Sequence, residues 1–190
     1  MKKVLFINAC ARPCSRSCEL ARHVLNRLPG QVAGLRLWEA EIRPLAVPAL
    51  QGRVTSVTAG DFSAPVFRYA RQFAVADDIV LAAPYWDLLF PAVLRTYLEA
   101  VTVTGLTFRY TPQGMPEGLC RARRLIYVTT AGGPIGERNY GFEYIRALAL
   151  NFYGIRETCC VAAEGLDLVG ADPAAILEQA RRNIPDFREK

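Results

Sequence analysis

Three short segments of the sequence combine residue types that could bind a ligand. In the first, CARPCSRS at residues 10–17, Ser15 and Ser17 stand at the start of a helical pattern with Arg16 between them and Arg12 nearby. Hydroxyl groups, arginines and the free N–H groups of a helix N-terminus together suit the three oxygens of a terminal phosphate monoester. An ordinary serine N-cap gives the same pattern, so both interpretations stay open for this segment alone.

The second segment, APYWDLLFP, places aromatic residues directly after a short apolar run. Tyr85 and Trp86 could flank a flat conjugated ring, and Asp87 could hydrogen-bond to one of its nitrogen atoms or to a neighbouring atom. The alternative is that the aromatic side chains pack against the following helix.

The third segment, TTAGGPIG, combines a hydroxyl group with backbone that is free of side chains. Thr130 offers the hydroxyl, and Gly132 and Gly133 allow a ligand edge to approach the backbone closely. A turn-forming glycine pair explains the same letters.

The cysteines admit one competing chemistry. Cys10 and Arg16 have the C-x5-R spacing of a low-molecular-weight phosphatase, although no general-acid aspartate lies in a recognisable loop. Cys10, Cys14 and Cys18 are four residues apart, which differs from the spacings of iron–sulfur ligands. His23 is the only histidine, and we expect it to be a solvated position on the first helix; without a second histidine or a suitable carboxylate cluster, we predict no metal site.

Composition favours one soluble globular domain over residues 1–190. Apolar residues make up 52% and charged residues 22%, and no stretch approaches the ~20 apolar residues of a membrane helix. The net charge of +5 comes from arginines scattered along the chain, whereas nucleic-acid-binding proteins concentrate them in a stripe. The apolar run after Lys3 is too short for a signal peptide, so we expect a cytoplasmic protein with free thiols.

Strand and helix patterns alternate along the whole chain. Apolar runs predict five strands, and 3.6-residue periodicity predicts helices between them. The strands are residues 3–9, 32–38, 79–83, 124–130 and 157–163, and the helices are residues 15–28, 61–76, 91–101, 140–153 and 173–184. Residues 39–59 are expected to be irregular, and residues 102–122 to form a long connection. This order predicts an α/β protein with a parallel sheet and helices on both faces.

The predicted fold brings the three segments together. In an open α/β sheet, ligands bind beyond the carboxyl ends of the strands, where the strand order reverses. The segments leave predicted strands one, three and four. We therefore expect them to meet at one edge of the sheet.

The chain resembles the flavodoxin-like family of FMN-dependent NADH azoreductases and NAD(P)H:quinone oxidoreductases. Four stretches carry the resemblance, and GLTFRYTPQGMPEGL, close to the family's GVTFRYTENGPEGL, is the most specific because the fold alone would not produce it. The others are VLFINACARPCSRS, AAPYWDLLFPAVLRTYLEAV and VTTAGG. Together they extend to about residue 165.

The resemblance implies a three-layer flavodoxin-like fold, one FMN per subunit, NADH or NADPH as the reductant, and ping-pong electron transfer to quinones and to azo or nitro compounds. It also implies a homodimer with active sites at the interface and Tyr110 near the substrate. Matching positions give the residues that would bind FMN. They are Cys10, Ser15, Arg16 and Ser17 at the phosphate, Pro84, Tyr85, Trp86, Asp87 and Leu88 at the isoalloxazine, and Thr130, Ala131, Gly132 and Gly133 at its polar edge.

The sequence departs from the family pattern at a few positions. Asp87 replaces the usual asparagine, and a carboxylate there is expected to lower the flavin reduction potential. Cys10 stands where serine is frequent, and Met115 interrupts the Gly-Pro-Glu-Gly run. Three alternatives remain: an FMN electron carrier without nicotinamide turnover, a flavin-free binding protein, and the Cys10–Arg16 phosphatase.

Overall fold

A five-stranded parallel sheet forms the centre of the protein. The computed structural model describes residues 1–187. The strands of the sheet are β1 (Lys3–Asn8), β2 (Gln31–Arg36), β3 (Asp78–Pro84), β6 (Arg124–Thr130) and β7 (Glu157–Ala163), in the order β2-β1-β3-β6-β7. The strand order reverses beside β1, as in the flavodoxin-like arrangement. The predicted α/β class and parallel sheet are confirmed.

Helices cover both faces of the sheet and give it three layers. On one face, α1 (Arg16–Leu25) and α6 (Pro173–Arg182) pack their apolar residues against β1, β3, β6 and β7. On the other face lie α3 (Arg68–Ala74), α4 (Ala92–Val101) and α5 (Tyr140–Leu148). The central strands β3 and β6 are buried along nearly their whole length. This explains why their sequences are almost unbroken apolar runs.

Three local predictions were wrong. Residues expected to be irregular include α2 (Val47–Ala59), which has a proline as its second residue and is capped by Gly60 in the left-handed conformation. The helix expected over 61–76 begins only at Arg68, after a single 3-10 turn. The long connection contains an antiparallel hairpin of β4 (Phe108–Tyr110) and β5 (Pro116–Gly118).

An ion pair closes the end of the sheet remote from the carboxyl ends of the strands. Asp78 and Arg124 are register partners on β3 and β6, and Nε of Arg124 lies 2.7 Å from Oδ1 of Asp78. Both side chains are more than nine-tenths buried, and burial raises the pKa of Asp78 against the opposing effect of Arg124. Nη1 of Arg124 also donates to the carbonyl of Phe187 at 3.1 Å, which ties the chain after α6 to the sheet.

Among residues 1–187, no helix has the length and apolar character needed to cross a membrane.

Candidate functional site

A cavity of about 460 Å³ lies at the carboxyl edge of the sheet. Its size falls within the range of small-molecule sites. Its walls come from all three segments singled out above and from a fourth, the loop that follows β7. The lining residues are Ala11, Arg12, Cys14, Ser15, Arg16, Pro84, Tyr85, Trp86, Thr130, Ala131, Gly132, Leu166 and Asp167.

The start of α1 forms a polar end of this cavity. Ser15 is the N-cap of the helix, and its Oγ accepts a long hydrogen bond from the N–H of Cys18 at 3.4 Å. The remaining N–H groups of the first turn have no partner within the helix, because an α-helix leaves them free by its geometry. With the guanidinium groups of Arg12 and Arg16 on the same wall, this end concentrates positive charge and hydrogen-bond donors.

Ser17 lies behind the wall and does not line the cavity. Its side chain is fully buried, and its Oγ lies 2.7 Å from Oγ1 of Thr130. Ser17, Ala21 and Val24 are spaced i, i+4 and i+7, which places Ser17 on the buried face of α1. The hydroxyl pair therefore joins the start of α1 to the end of β6, where two walls of the cavity meet.

Cys10 also lies outside the lining. Its thiol donates to the carbonyl of Ala82 at 3.7 Å, and desolvation by burial raises the pKa of Cys10 to about 11. A phosphatase nucleophile needs a lowered pKa because the thiolate is the reactive form. The geometry and the pKa both disfavour the Cys10–Arg16 phosphatase.

The aromatic wall of the cavity, formed by Tyr85 and Trp86, is hydrogen-bonded to the glycine-containing loop at residues 129–136. Tyr85 donates its backbone N–H to the carbonyl of Thr130 at 3.0 Å and its hydroxyl to the carbonyl of Arg138 at 2.9 Å. Trp86 is 39% exposed, so a large indole faces the cavity and solvent together. An exposed aromatic of this kind is typical of a surface that a ligand covers.

A tight turn follows Trp86 immediately. Trp86 and Leu89 form an isolated antiparallel bridge, with the N–H of Leu89 donating to the carbonyl of Trp86 at 2.8 Å. The two residues between them have positive φ, 51° at Asp87 and 67° at Leu88. Positive φ at both central positions is the pattern of a type I′ turn. The side chains of Asp87 and Leu88 are exposed next to the cavity and are not among its lining residues.

The glycine-containing loop contributes three lining residues and one neighbour. Thr130, Ala131 and Gly132 line the cavity. Gly133 does not, and the space around its α-carbon is open. The N–H of Ala131 donates to the carbonyl of Ala163 at 2.9 Å, which fixes this loop to the end of β7.

Sequence reasoning missed the loop after β7. The N–H groups of Gly165, Leu166 and Asp167 donate to the carbonyls of Gly133, Ala131 and Gly132 at 2.9–3.2 Å. The carboxylate of Glu164 accepts from the backbone N–H groups of Ile135 and Gly136. Since β7 ends at the same edge as β1, β3 and β6, the rule that selected the other loops would have selected this one.

Tyr110 lies far from the cavity within the chain. It is on the β4–β5 hairpin, whose Phe108 packs against Phe152 with ring centroids 4.9 Å apart. Cys120, just after the hairpin, donates its N–H to the carbonyl of Tyr153 at 3.3 Å. These partners follow α5, which begins near the cavity edge and runs to the opposite end of the sheet. Tyr110 is 55% exposed there and does not line the cavity.

The sheet order and the cavity beyond its carboxyl edge define a flavodoxin-like α/β protein with a ligand site at its strand-order reversal. Residues 2–186 match the model of a protein family whose description is "Flavodoxin-like fold". The chain is 34% identical to FMN-dependent NADH:quinone oxidoreductase 2 of Clostridium acetobutylicum, with 98% of this chain and 100% of the relative aligned. It is 33% identical to the FMN-dependent NADH:quinone oxidoreductase of Clostridium beijerinckii, over 95% and 94% of the two chains.

Solved structures agree with these relatives. The azoreductase from Bacillus anthracis str. Sterne superposes with a TM-score of 0.82 at 27% identity, over 97% of both chains. An FMN-dependent NADH-azoreductase from Bacillus anthracis str. Ames Ancestor, in complex with FMN, shares the fold with a TM-score of 0.77 at 22% identity, over 97% of this chain and 96% of that one. The chain belongs to the flavodoxin-like family of FMN-dependent NADH:quinone oxidoreductases and azoreductases.

The donor set of the cavity fits FMN. A phosphate monoester needs several N–H and O–H donors and positive charge, and the start of α1 offers them with Ser15, Arg12 and Arg16. An isoalloxazine ring needs a flat apolar wall and polar backbone along its edge, and Trp86 and the Thr130–Gly132 backbone offer these. The two kinds of wall lie in the same cavity.

Proposed function

We propose that this protein is an FMN-dependent oxidoreductase that transfers electrons from NADH or NADPH to quinones, and to azo or nitro compounds, by a ping-pong mechanism. The observation that carries the proposal is one cavity with a phosphate-binding type of wall at the start of α1 and an aromatic wall after β3. The family membership supports the same activity. Residues 1–190 form a single FMN-binding domain in this proposal.

The flavin supplies the chemistry, since it can accept a hydride from a reduced nicotinamide and pass electrons to a second substrate. The protein supplies binding and orientation. Ser15, Arg16 and the N–H groups of the first turn of α1 bind the phosphate. Tyr85 and Trp86 lie along the ring, and the backbone from Thr130 to Gly132 hydrogen-bonds its polar edge.

The remaining predicted residues have indirect roles in this proposal. Ser17 fixes Thr130 through the hydroxyl pair, and Cys10 packs beneath the phosphate loop. The type I′ turn holds Asp87 and Leu88 beside the ring, while Gly133 leaves the edge of the loop open. No side chain of the cavity is required as a catalytic acid or base.

A homodimer with Tyr110 supplied by the partner subunit completes the proposal. Tyr110 lies at the opposite end of the sheet from the cavity of its own chain, so it can line a site only in another copy. A second observation supports assembly: α2 has no buried residue, and Val47, Leu50 and Val54 expose 46–69% of their surface. Apolar residues exposed together on one element are typical of an interface.

The cytoplasm is the compartment that we propose for this protein. Its six cysteines are all free thiols in the structure. Free thiols persist in a reducing compartment.

The absorbance spectrum of the purified protein tests this function. A flavin band that bleaches when NADH or NADPH is added without oxygen, and returns when a quinone follows, is the expected result. A flavin band that neither nicotinamide bleaches would indicate an electron carrier instead. A protein that binds no added FMN would contradict the proposal.

A further inference from the structure

Asp167 places a negative charge in the polar end of the cavity. Its Oδ1 lies 2.7 Å from Nη1 of Arg16, and both residues line the cavity. A phosphate-binding end gains nothing from a carboxylate, because the two anions repel each other. The presence of Asp167 therefore calls for a physical explanation.

The fold holds Asp167 in this place. The three backbone hydrogen bonds between residues 165–167 and residues 131–133 fix its main chain against the cavity wall. Its other carboxylate oxygen, Oδ2, lies against Gly132, where a β-carbon would approach it to 2.4 Å. Glu164 anchors the start of the same loop through Ile135 and Gly136. The position of the carboxylate is therefore a property of the packed loop.

The pair between Arg16 and Asp167 is easily displaced. The two side chains are 40% and 66% exposed, and ion pairs this exposed contribute little to stability. A phosphate dianion at the start of α1 carries more charge than the carboxylate and has more donors around it. Both anions would need the same guanidinium.

We infer that Asp167 competes with the FMN phosphate for Arg16 and thereby sets how strongly the site prefers a phosphorylated flavin. This inference rests on the proposed function. Asp167 weakens the binding of FMN without affecting riboflavin, which has no phosphate. The site therefore binds FMN less tightly than its donors alone would allow.

The variant Asp167→Asn tests the inference, because asparagine keeps the size and the acceptor oxygen but loses the charge. Flavin fluorescence titrations give the dissociation constants of FMN and riboflavin. FMN is expected to bind about three- to tenfold more tightly than in the wild type, with riboflavin unchanged and the difference shrinking at high salt. Glu157→Gln, which removes one negative charge at the opposite end of β7, is the matched control and should change neither constant.

Unchanged or weaker FMN binding in Asp167→Asn would overturn the inference, since Asp167 would then be inert or would position Arg16 for the phosphate.

A second probe works without flavin. Inorganic phosphate should raise the melting temperature of flavin-free Asp167→Asn more than that of flavin-free wild type. Equal shifts, or none, would also overturn it. If this difference appears while FMN does not bind, Asp167 still competes with a phosphate for Arg16, and the failure is that of the proposed function.

Discussion

Cys10 shows how burial decides the chemistry of a residue whose spacing alone indicates a nucleophile. The thiol lies behind the cavity wall and hydrogen-bonds to the carbonyl of Ala82. Burial raises the pKa of Cys10 to about 11, so the thiol stays protonated at neutral pH. Cys14, four residues later on the same loop, is exposed and lines the cavity.

This contrast predicts the order of thiol alkylation. Because the thiolate is the reactive form, iodoacetamide at pH 7.5 should label Cys14 well before Cys10. Labelling of Cys10 should rise about tenfold for each pH unit up to pH ~11, as ionisation proceeds. Peptide mass spectrometry after short pulses measures both sites. Equal labelling of Cys10 and Cys14 at pH 7.5 would contradict the burial of Cys10.

The turn between Trp86 and Leu89 directly follows the aromatic wall and sets the direction of the chain after it. Its two central residues have positive φ, and leucine is an unfavourable residue there because its β-carbon crowds the backbone. Strain at a ligand site is tolerated when the surrounding structure enforces it. Here the enforcing contacts are the two backbone hydrogen bonds between Trp86 and Leu89.

We expect Leu88→Gly to relieve this strain. Leu88 is 45% exposed, so truncating its side chain removes little packing. Glycine adopts positive φ freely, and Leu88→Gly should be about 0.5–1 kcal/mol more stable than the control Leu88→Ala. Urea unfolding of the flavin-free proteins measures the difference. Quinone reduction should fall in both variants if Leu88 lies beside the ring as proposed, because the ring then loses this neighbouring side chain. A glycine variant less stable than the alanine variant would show that the turn is unstrained.

The sequence predicted the elements that follow a simple pattern. The apolar runs of β3 and β6 identified the sheet centre, and the parallel topology then placed three loops at one edge. It did not predict α2, because VPALQGRVTSVTA is rich in β-branched residues and contains a proline and a glycine, which are poor helix formers. Its apolar residues Val47, Leu50 and Val54 have helical spacing, but they are exposed instead of packed in the core.

Within the candidate site, the sequence predicted which loops meet better than which side chains face the ligand. The burial of Ser17 follows from its helical spacing to Ala21 and Val24, which outweighs its position two residues after Ser15 at the start of the helix. Asp167 could not be singled out, since its contact with Arg16 joins residues 151 positions apart. Pairings over such separations depend on the folded loop, which the sequence pattern does not show.

At the scale of the whole molecule, the position of Tyr110 determines how the proposed homodimer would have to be arranged. The cavity and the β4–β5 hairpin lie at opposite ends of one subunit, so a single chain cannot combine them. In the proposed homodimer, each site takes its cavity from one chain and its Tyr110 from the other.

Subunit mixing tests this arrangement. Tyr110→Ala removes the side chain that one chain would contribute to the site of its partner. Arg16→Asp impairs the phosphate end of the cavity within the same chain. Each homodimer should therefore have low quinone reductase activity. Random reassociation of the two variants gives hybrid dimers with one intact site, and activity should recover to about a quarter of the wild type. Sedimentation should give twice the mass of one chain. No recovery from dimers that exchange subunits would place Tyr110 in its own chain's site or in none.

The contact between Gly132 and Asp167 has an evolutionary consequence. A β-carbon at position 132 would lie 2.4 Å from Oδ2 of Asp167, so the carboxylate that pairs with Arg16 would have to shift. If Asp167 acts as inferred, a homologue with alanine at position 132 would have a different preference for FMN over riboflavin, although none of its charged residues had changed. Positions 132 and 167 are therefore expected to covary among homologues, with glycine at 132 where aspartate is at 167.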